Sequence, residues 1–140
     1  IIFAPILPQE EHLARLRLAD LFLDTFNYNA HTTCSDALWA GLPVVTKIGN
    51  QFSARVSASL LNAIGLPELI TESEEEYEIL AENLAINKNK LKEIKGILLK
   101  NQSEFPLFNT ELFTKHIEEA YTQAYQLFLE EKSPATIYVK

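Results

Sequence analysis

The residues best suited to chemistry lie in one polar stretch between two apolar runs. This stretch carries His31, Thr32 and Thr33 in succession, with Asp36 close behind them. Threonine hydroxyls, backbone N–H groups and a protonated histidine can donate hydrogen bonds to phosphate oxygens, while a carboxylate can accept them from two ribose hydroxyls. The residue types therefore suit a ligand that contains both phosphate and ribose.

Short apolar runs alternate with helical patterns over residues 1–50 and should position this stretch. Strands are predicted at 1–3, 21–24 and 43–46, and helices at 9–18 and 33–40, which gives βαβαβ with parallel strands. Ligands of open parallel sheets bind beyond the carboxyl ends of the strands, where a helix start offers free N–H groups and about half a positive charge. We therefore expect a pyrophosphate to bind at His31–Thr33.

The rest of the chain, 51–140, is predicted to be mainly helical. Helix breaks are expected at 65–67, because Gly ends helices and Pro cannot continue them, and at 87–89. A last helix at about 110–129 carries an apolar stripe made of Phe113, Ile117, Tyr121, Ala124 and Phe128. The predicted fold class is therefore α/β, with a short parallel sheet of about three strands and a helical carboxyl-terminal half. Because no linker or repeat is visible, we expect a single domain, 1–140.

Composition limits the possible partners. The chain has 140 residues and a formal net charge of -7, which argues against binding to nucleic acid or to an anionic membrane. No apolar run approaches the about 20 residues needed to cross a bilayer and no basic leader is visible, so we expect a cytoplasmic protein. The lone Cys34 excludes an intrachain disulfide, and neither zinc-ligand spacing nor an Asp-x-Asp pair occurs, so we expect no metal and no cofactor.

Four residues near the candidate site have alternative interpretations. Thr33 and Asp36 also fit a capping box, with Thr33 as the N-cap and Asp36 reaching back to it, which would explain both without a ligand. Cys34 at a helix start could be a nucleophile, but no base is evident beside it. Trp39 is interpreted as a core anchor rather than a sugar platform.

Several longer segments resemble the O-linked N-acetylglucosamine transferases, in particular bacterial and SPINDLY-like members. The likeness is carried by residues 29–33, Asp36 and 38–46, and continues through 53–59, 65–70 and 106–110. It implies the carboxyl-terminal, Rossmann-like part of a GT-B catalytic region, usually preceded by tetratricopeptide repeats. It also implies UDP-N-acetylglucosamine as donor and a protein Ser or Thr hydroxyl as acceptor, with inverting transfer.

By the same resemblance, His31, Thr32 and Thr33 contact the diphosphate and Asp36 contacts the ribose. Residues 3–15 resemble the segment that holds uridine: the backbone near Leu7 pairs with the base, and His12 and Arg15 lie nearby. The plainer alternative is that His12 and Arg15 are solvated residues on an exposed helix face.

The sequence departs from the family pattern at two positions. Gln9 stands where animal members tend to carry Lys, which removes a positive charge from the uridine end. Cys34 replaces a Gly, and a small side chain should still fit there.

The chain opens without Met on an apolar run and looks cut from a longer protein. We therefore expect the isolated chain to be inactive, to lack an identifiable catalytic base, and to self-associate through the 113–128 stripe. Two alternatives stay open: another GT-B transferase or an epimerase with a different nucleotide sugar, and a non-enzymatic α/β interaction module.

Overall fold

The computed structural model describes residues 1–139. These residues form two compact units, of which the first ends at Leu107 and the second begins at Phe108. Within the described residues there are three parallel strands in one sheet and six α-helices, so the predicted α/β class with a helical majority is confirmed. The single-domain organisation stays a prediction, because two compact units can belong to one domain.

The elements follow one another without long gaps. The first unit holds α1 (Gln9–Leu16), β1 (Phe22–Leu23), α2 (Thr32–Trp39), β2 (Val44–Lys47), α3 (Val56–Ala63), β3 (Ile70–Thr71), α4 (Glu74–Ile86) and α5 (Lys88–Glu104), with short 3₁₀ turns at Phe52–Ala54 and Pro67–Leu69. A further 3₁₀ turn, Pro106–Phe108, precedes α6 (Thr110–Leu129). The predicted helix breaks near 65–67 and 87–89, and the predicted last helix, are confirmed.

The sheet has the strand order β1-β2-β3, and both pairs are parallel. The central strand β2 pairs Val44 with Phe22 on one side and Thr46 with Ile70 on the other. Helices α2, α3 and α4 all pack against β2, and Val44 and Val45 are completely buried. Continuous apolar runs such as Val44–Val45 predict strands that are covered on both faces, and this is confirmed for β2. It is wrong for β1, because this edge strand is not fully buried and Leu23 is 56% exposed.

The predicted strand at residues 1–3 is wrong. This run has no strand structure, and Ile1, Ile2 and Phe3 are at least 91% exposed. The third strand is instead β3, which lies later in the chain and pairs with the carboxyl-terminal half of β2. An apolar run becomes a strand only where a neighbour satisfies its backbone N–H and C=O groups, and the run itself cannot show which neighbour is present.

Two helices end in the same glycine-dependent turn, which directs the chain back onto the core. After α2, Gly41 has φ +82° and Leu42 donates its N–H to the carbonyl of Ala37 at 2.9 Å. After α3, Gly65 has φ +73° and Leu66 donates to Leu61 at 2.9 Å. Residues other than glycine disfavour this left-handed backbone conformation, so the two glycines determine where the helices end.

The second unit is organised around α6. Asn109 begins the helix by accepting a hydrogen bond on Oδ1 from the N–H of Leu112 at 2.9 Å. No residue of α6 is buried, and its apolar side chains, including Phe113 and Phe128, are largely exposed. Within the described residues, no helix combines the length and apolar character needed to cross a membrane.

Candidate functional site

A cleft of about 430 Å³ opens where β1 ends and α2 begins. It is lined by residues 22–25 and 28–33, which include His31, Thr32 and Thr33. The cleft therefore lies at the carboxyl edge of the parallel sheet, which is the position expected from the sequence.

A buried carboxylate organises the wall of the cleft. Asp24 directly follows β1 and is 5% exposed. Its Oδ1 accepts hydrogen bonds from the N–H groups of Thr25, at 2.9 Å, and Ala30, at 2.7 Å. Its Oδ2 accepts the hydroxyl of Thr46 at 2.6 Å. One side chain thus closes the 24–30 loop on itself and ties it to the central strand.

Tyr77 reinforces this arrangement from α4. Its hydroxyl donates to the backbone carbonyl of Asp24 at 3.0 Å, and its ring meets the Phe26 ring edge-on at 4.9 Å between centroids. Burial, and secondarily the negative charge of Asp24, raises the pKa of Tyr77 to about 12. The tyrosine therefore stays a neutral hydrogen-bond donor across the physiological pH range.

A second anchor joins the loop to the 3₁₀ turn after β2. Asn29 is buried; its N–H donates to the Ser53 carbonyl and its Nδ2 to the Thr25 carbonyl, each at 2.8 Å. The neighbouring Ser57 hydroxyl donates to the carbonyl of Ala30 at 2.8 Å. Among the described residues, Asn29 Oδ1 is the one buried side-chain N or O atom without a hydrogen-bond partner.

His31 is held on three sides. Its ring stacks on Tyr28 at 4.8 Å between centroids, meets the edge of Phe52 at 6.1 Å, and places Nε2 3.4 Å from the Ser53 carbonyl. A carbonyl can only accept, so this contact requires the proton on Nε2 and leaves Nδ1 for a ligand. Nδ1 can donate to an anion only when the ring is protonated.

The start of α2 leaves two donors without protein partners. The His31 carbonyl accepts the N–H groups of Cys34 and Ser35, both at 3.1 Å. Within residues 1–139, the N–H groups of Thr32 and Thr33 have no acceptor, and both residues are exposed. With the positive end of the helix dipole, these N–H groups and hydroxyls form an anion-binding corner.

The capping-box alternative for Thr33 and Asp36 is wrong. The helix begins at Thr32, one residue earlier than predicted, so His31 occupies the N-cap position and makes no side-chain capping bond. Thr33 already has helical backbone in the first turn and cannot act as the N-cap, and Asp36 makes no bond back to it. Two residues that the capping alternative would have explained are therefore left without that structural role.

Cys34 is not a nucleophile in this fold. It is completely buried, and burial raises the pKa of its thiol to about 12, against the smaller lowering effect of a hydrogen bond with Ser57. A buried, protonated thiol is chemically inert. The small side chain serves packing between α2 and α3.

Trp39 departs from its predicted role as a core anchor, because it is 53% exposed. The buried face of α2 consists of Cys34, Ala37 and Leu38. Trp39 follows Leu38 directly and is rotated about 100° around the helix axis from it, which turns the indole away from that face.

The predicted uridine residues form a separate group. Arg15 donates from Nη1 to the Pro5 carbonyl at 2.8 Å and from Nη2 to His12 Nδ1 at 3.1 Å. Leu7, His12 and Arg15 are half-buried, and α1, which carries the last two, packs against α2 but has no fully buried residue. The structure thus brings His12 and Arg15 together on one helix face.

Neither these three residues nor Asp36 lines the cleft. Asp36 is half-buried one turn into α2, and its carboxylate makes no hydrogen bond or ion pair within residues 1–139. A ligand that reached all the predicted residues would extend from the cleft along α2 toward α1.

Five residues that hold the cleft in shape were not predicted from the sequence: Asp24, Asn29, Thr46, Ser57 and Tyr77. One signal was present, since a carboxylate at the end of one apolar run and a hydroxyl inside the next apolar run are unusual. The partner from α4 had no such signal, because it lies 53 positions along the chain from Asp24. In the described part of the chain, no group of three or more His, Cys, Asp or Glu side chains could hold a metal ion.

Comparison with known proteins gives a family. The model of glycosyl transferase family 41 matches residues 1–117. The probable UDP-N-acetylglucosamine–peptide N-acetylglucosaminyltransferase SEC of Arabidopsis thaliana is 39% identical over 135 residues, which are 96% of this chain and 14% of that protein. The corresponding enzyme of Caenorhabditis elegans is 32% identical over 128 residues, 91% of this chain and 11% of that protein.

A solved structure agrees with this assignment. A mutant of the O-GlcNAc transferase of Thermobaculum terrenum matches with a TM-score of 0.78 and 33% identity, covering 84% of this chain and 22% of that one. This match confirms the predicted Rossmann-like part of a GT-B fold. The resemblance to O-GlcNAc transferases read from the sequence is likewise confirmed, and the chain belongs to glycosyl transferase family 41.

Proposed function

We propose that this chain supplies the diphosphate-binding and uridine-binding part of a protein O-GlcNAc transferase that uses UDP-N-acetylglucosamine as donor. The observation that carries the proposal is the pair of unpartnered N–H groups at Thr32 and Thr33, which open onto the cleft beside His31. No Lys or Arg lines this cleft in the described chain, so a diphosphate there would be held by backbone dipoles, hydroxyls and His31.

The activity belongs to a longer protein. The chain spans 11% to 14% of the length of the curated relatives it matches. Transfer requires the acceptor hydroxyl, the sugar and the diphosphate to be held in one closed geometry. The isolated chain is therefore expected to bind nucleotide without transferring sugar.

In the whole enzyme, the acceptor oxygen attacks the anomeric carbon from the face opposite the diphosphate while the bond to the diphosphate breaks. Negative charge then develops on the leaving phosphate oxygens. The N–H groups of Thr32 and Thr33 stabilise this charge, as does His31 when its ring is protonated, and the Asp24 network keeps them in place beforehand. No residue of this chain is assigned as the general base, and the reaction is proposed to need no metal.

The predicted ribose and uracil contacts come from residues outside the cleft. Asp36, with its unpaired carboxylate one turn beyond the cleft, would accept hydrogen bonds from the ribose hydroxyls. The backbone near Leu7 and the paired side chains of His12 and Arg15 would contact the uracil end. The N–H donors thus serve the phosphates, and α1 serves the base.

Titration calorimetry with UDP, ADP and GDP tests this proposal on the 140-residue chain. UDP should bind best, and the double variant Thr32→Val and Thr33→Val, which removes two hydroxyls at nearly constant shape, should weaken UDP binding about ten-fold. Thr122→Val removes a hydroxyl from α6 and is the matched control. Equal affinity for the three nucleotides would favour another nucleotide-sugar enzyme, and no UDP affinity would favour an interaction module.

Self-association is proposed for the second unit. The exposed stripe on α6 includes Phe113, Tyr121 and Phe128, which are 63% to 73% exposed. Apolar patches of this kind tend to be covered in solution. Light scattering that shows only monomer at high concentration would reject this part of the proposal.

A further inference from the structure

A second hollow lies at the opposite end of β1 from the cleft. It has a volume of about 430 Å³ and is bounded by the residues just before β1 and by the junction of α4 and α5. Leu21, Ala85 and Leu91 contribute apolar surface, and Lys88, Lys92 and Lys95 form the rim. We call this feature the lysine hollow. It shares no residue with the cleft.

The region around the lysine hollow is basic, although the chain as a whole is acidic. The net charge is -7, yet α5 carries Lys88, Lys90, Lys92, Lys95 and Lys100 against only Glu93 and Glu104. The three rim lysines are spaced i, i+4 and i+7, so they lie on one face of the helix. The rim is therefore a local basic stripe on an acidic protein.

Most of this rim charge is not neutralised by the protein. Lys95 lies 3.4 Å from the Asp20 carboxylate, which is itself largely exposed. Within residues 1–139, Lys88 and Lys92 have neither an ion pair nor a side-chain hydrogen bond. Unpaired lysines alone would be only a solvated helix face, but here they border an apolar hollow.

We propose that the lysine hollow binds an acidic peptide segment of a partner protein, with one apolar side chain seated in the hollow. The rim lysines form a line, with about 6 Å of helix rise between Lys88 and Lys92 and about 10 Å between Lys88 and Lys95. Acidic side chains at alternate positions of an extended peptide are about 7 Å apart on one side, which matches this line. A compact phosphate needs donors that converge on one point, and this array does not converge.

The test uses fluorescence anisotropy with the 140-residue chain and a labelled peptide of sequence Gly-Glu-Ser-Glu-Ser-Leu-Gly, at about 50 mM salt, where exposed charges are weakly screened. A peptide with Gln in place of both Glu residues should bind much more weakly. The double variant Lys88→Gln and Lys92→Gln should weaken binding about ten-fold. Ala85→Glu, which places a negative charge in the hollow, should weaken it as well.

The matched control is Lys90→Gln with Lys100→Gln, which removes the same charge from the same helix outside the hollow. It should change the affinity less than about two-fold. UDP affinity should be the same in all variants, since the cleft is at the other end of the strand. The absence of saturable binding up to about 1 mM peptide, or equal loss in the control, overturns the proposal. Lysine-dependent binding to phosphatidylcholine vesicles with about 30% phosphatidylserine, without peptide binding, also overturns it in favour of a lipid surface.

Discussion

Two segments of the first unit are expected to hold one ligand, yet they are built differently. The phosphate segment, 24–36, is fixed by the buried Asp24, by Asn29 and by Tyr77 from a distant helix. The uridine segment, 3–15, is held mainly by Arg15, which ties its helix to the Pro5 carbonyl and to His12. Helix α1 has no buried residue.

The difference bears on how binding energy is used. Donors that face a developing charge stabilise it best when they are already in position, because no reorganisation is then needed during the reaction. The uracil is remote from the developing charge, so the residues that contact it can become ordered when the donor binds. The phosphate segment, where the proposed chemistry occurs, is therefore the more deeply packed of the two.

The largest effect is expected from breaking the phosphate segment. Asp24→Ala removes the acceptor for two N–H groups and one hydroxyl, all in or near the core, and should lower the free energy of unfolding by about 3–5 kcal/mol in urea denaturation. Asp20→Ala, at an exposed carboxylate four positions earlier, should cost less than about 0.5 kcal/mol. Similar losses in both variants would show that the Asp24 network does not stabilise the loop.

Alkali should also destabilise the phosphate segment selectively. The pKa of Cys34 is raised from its usual 9.0 to about 12, and that of Tyr77 from 10.0 to about 12. Above pH 9 the unfolded chain loses these protons while the folded chain keeps them, so ionisation favours unfolding. The associated stability is present below pH 9 and should be lost as the pH rises toward 12, on the order of 4 kcal/mol by about pH 11.

Circular dichroism during denaturation at several pH values measures this loss. Cys34→Ala should reduce the alkaline loss, because one of the two shifted groups is gone. The uridine segment contains neither Cys nor Tyr and offers no comparable contribution. A stability that stays constant between pH 8 and 11 or so would contradict the burial of both groups.

The smallest effect is expected from a substitution in the uridine segment that changes UDP affinity. Gln9→Lys places a positive charge at the first position of α1, where the family resemblance expects one, and should raise UDP affinity about two- to five-fold. The gain should fade at high salt, since the side chain is exposed. Gln126→Lys on α6 adds the same charge elsewhere and should leave affinity unchanged; an equal gain there would mean that net charge alone is responsible.

The sequence by itself determined the local features of this protein. Glycine and proline marked the ends of helices, apolar spacing gave α6 its bounds, and the order of polar residues after an apolar run placed His31, Thr32 and Thr33 at a strand end. These features depend on interactions within a few residues, so their signals are contained in short stretches of sequence.

Only the tertiary structure decided which segments pair and which side chains are buried. It chose Ile70–Thr71 rather than residues 1–3 as the third strand, began α2 at Thr32, left Trp39 exposed, and brought Thr46 and Tyr77 to Asp24. Strand pairing and burial depend on neighbours distant in the chain, and a local pattern is compatible with several such neighbours. The cleft is consequently a product of long-range contacts, although its ligand-facing residues are adjacent in sequence.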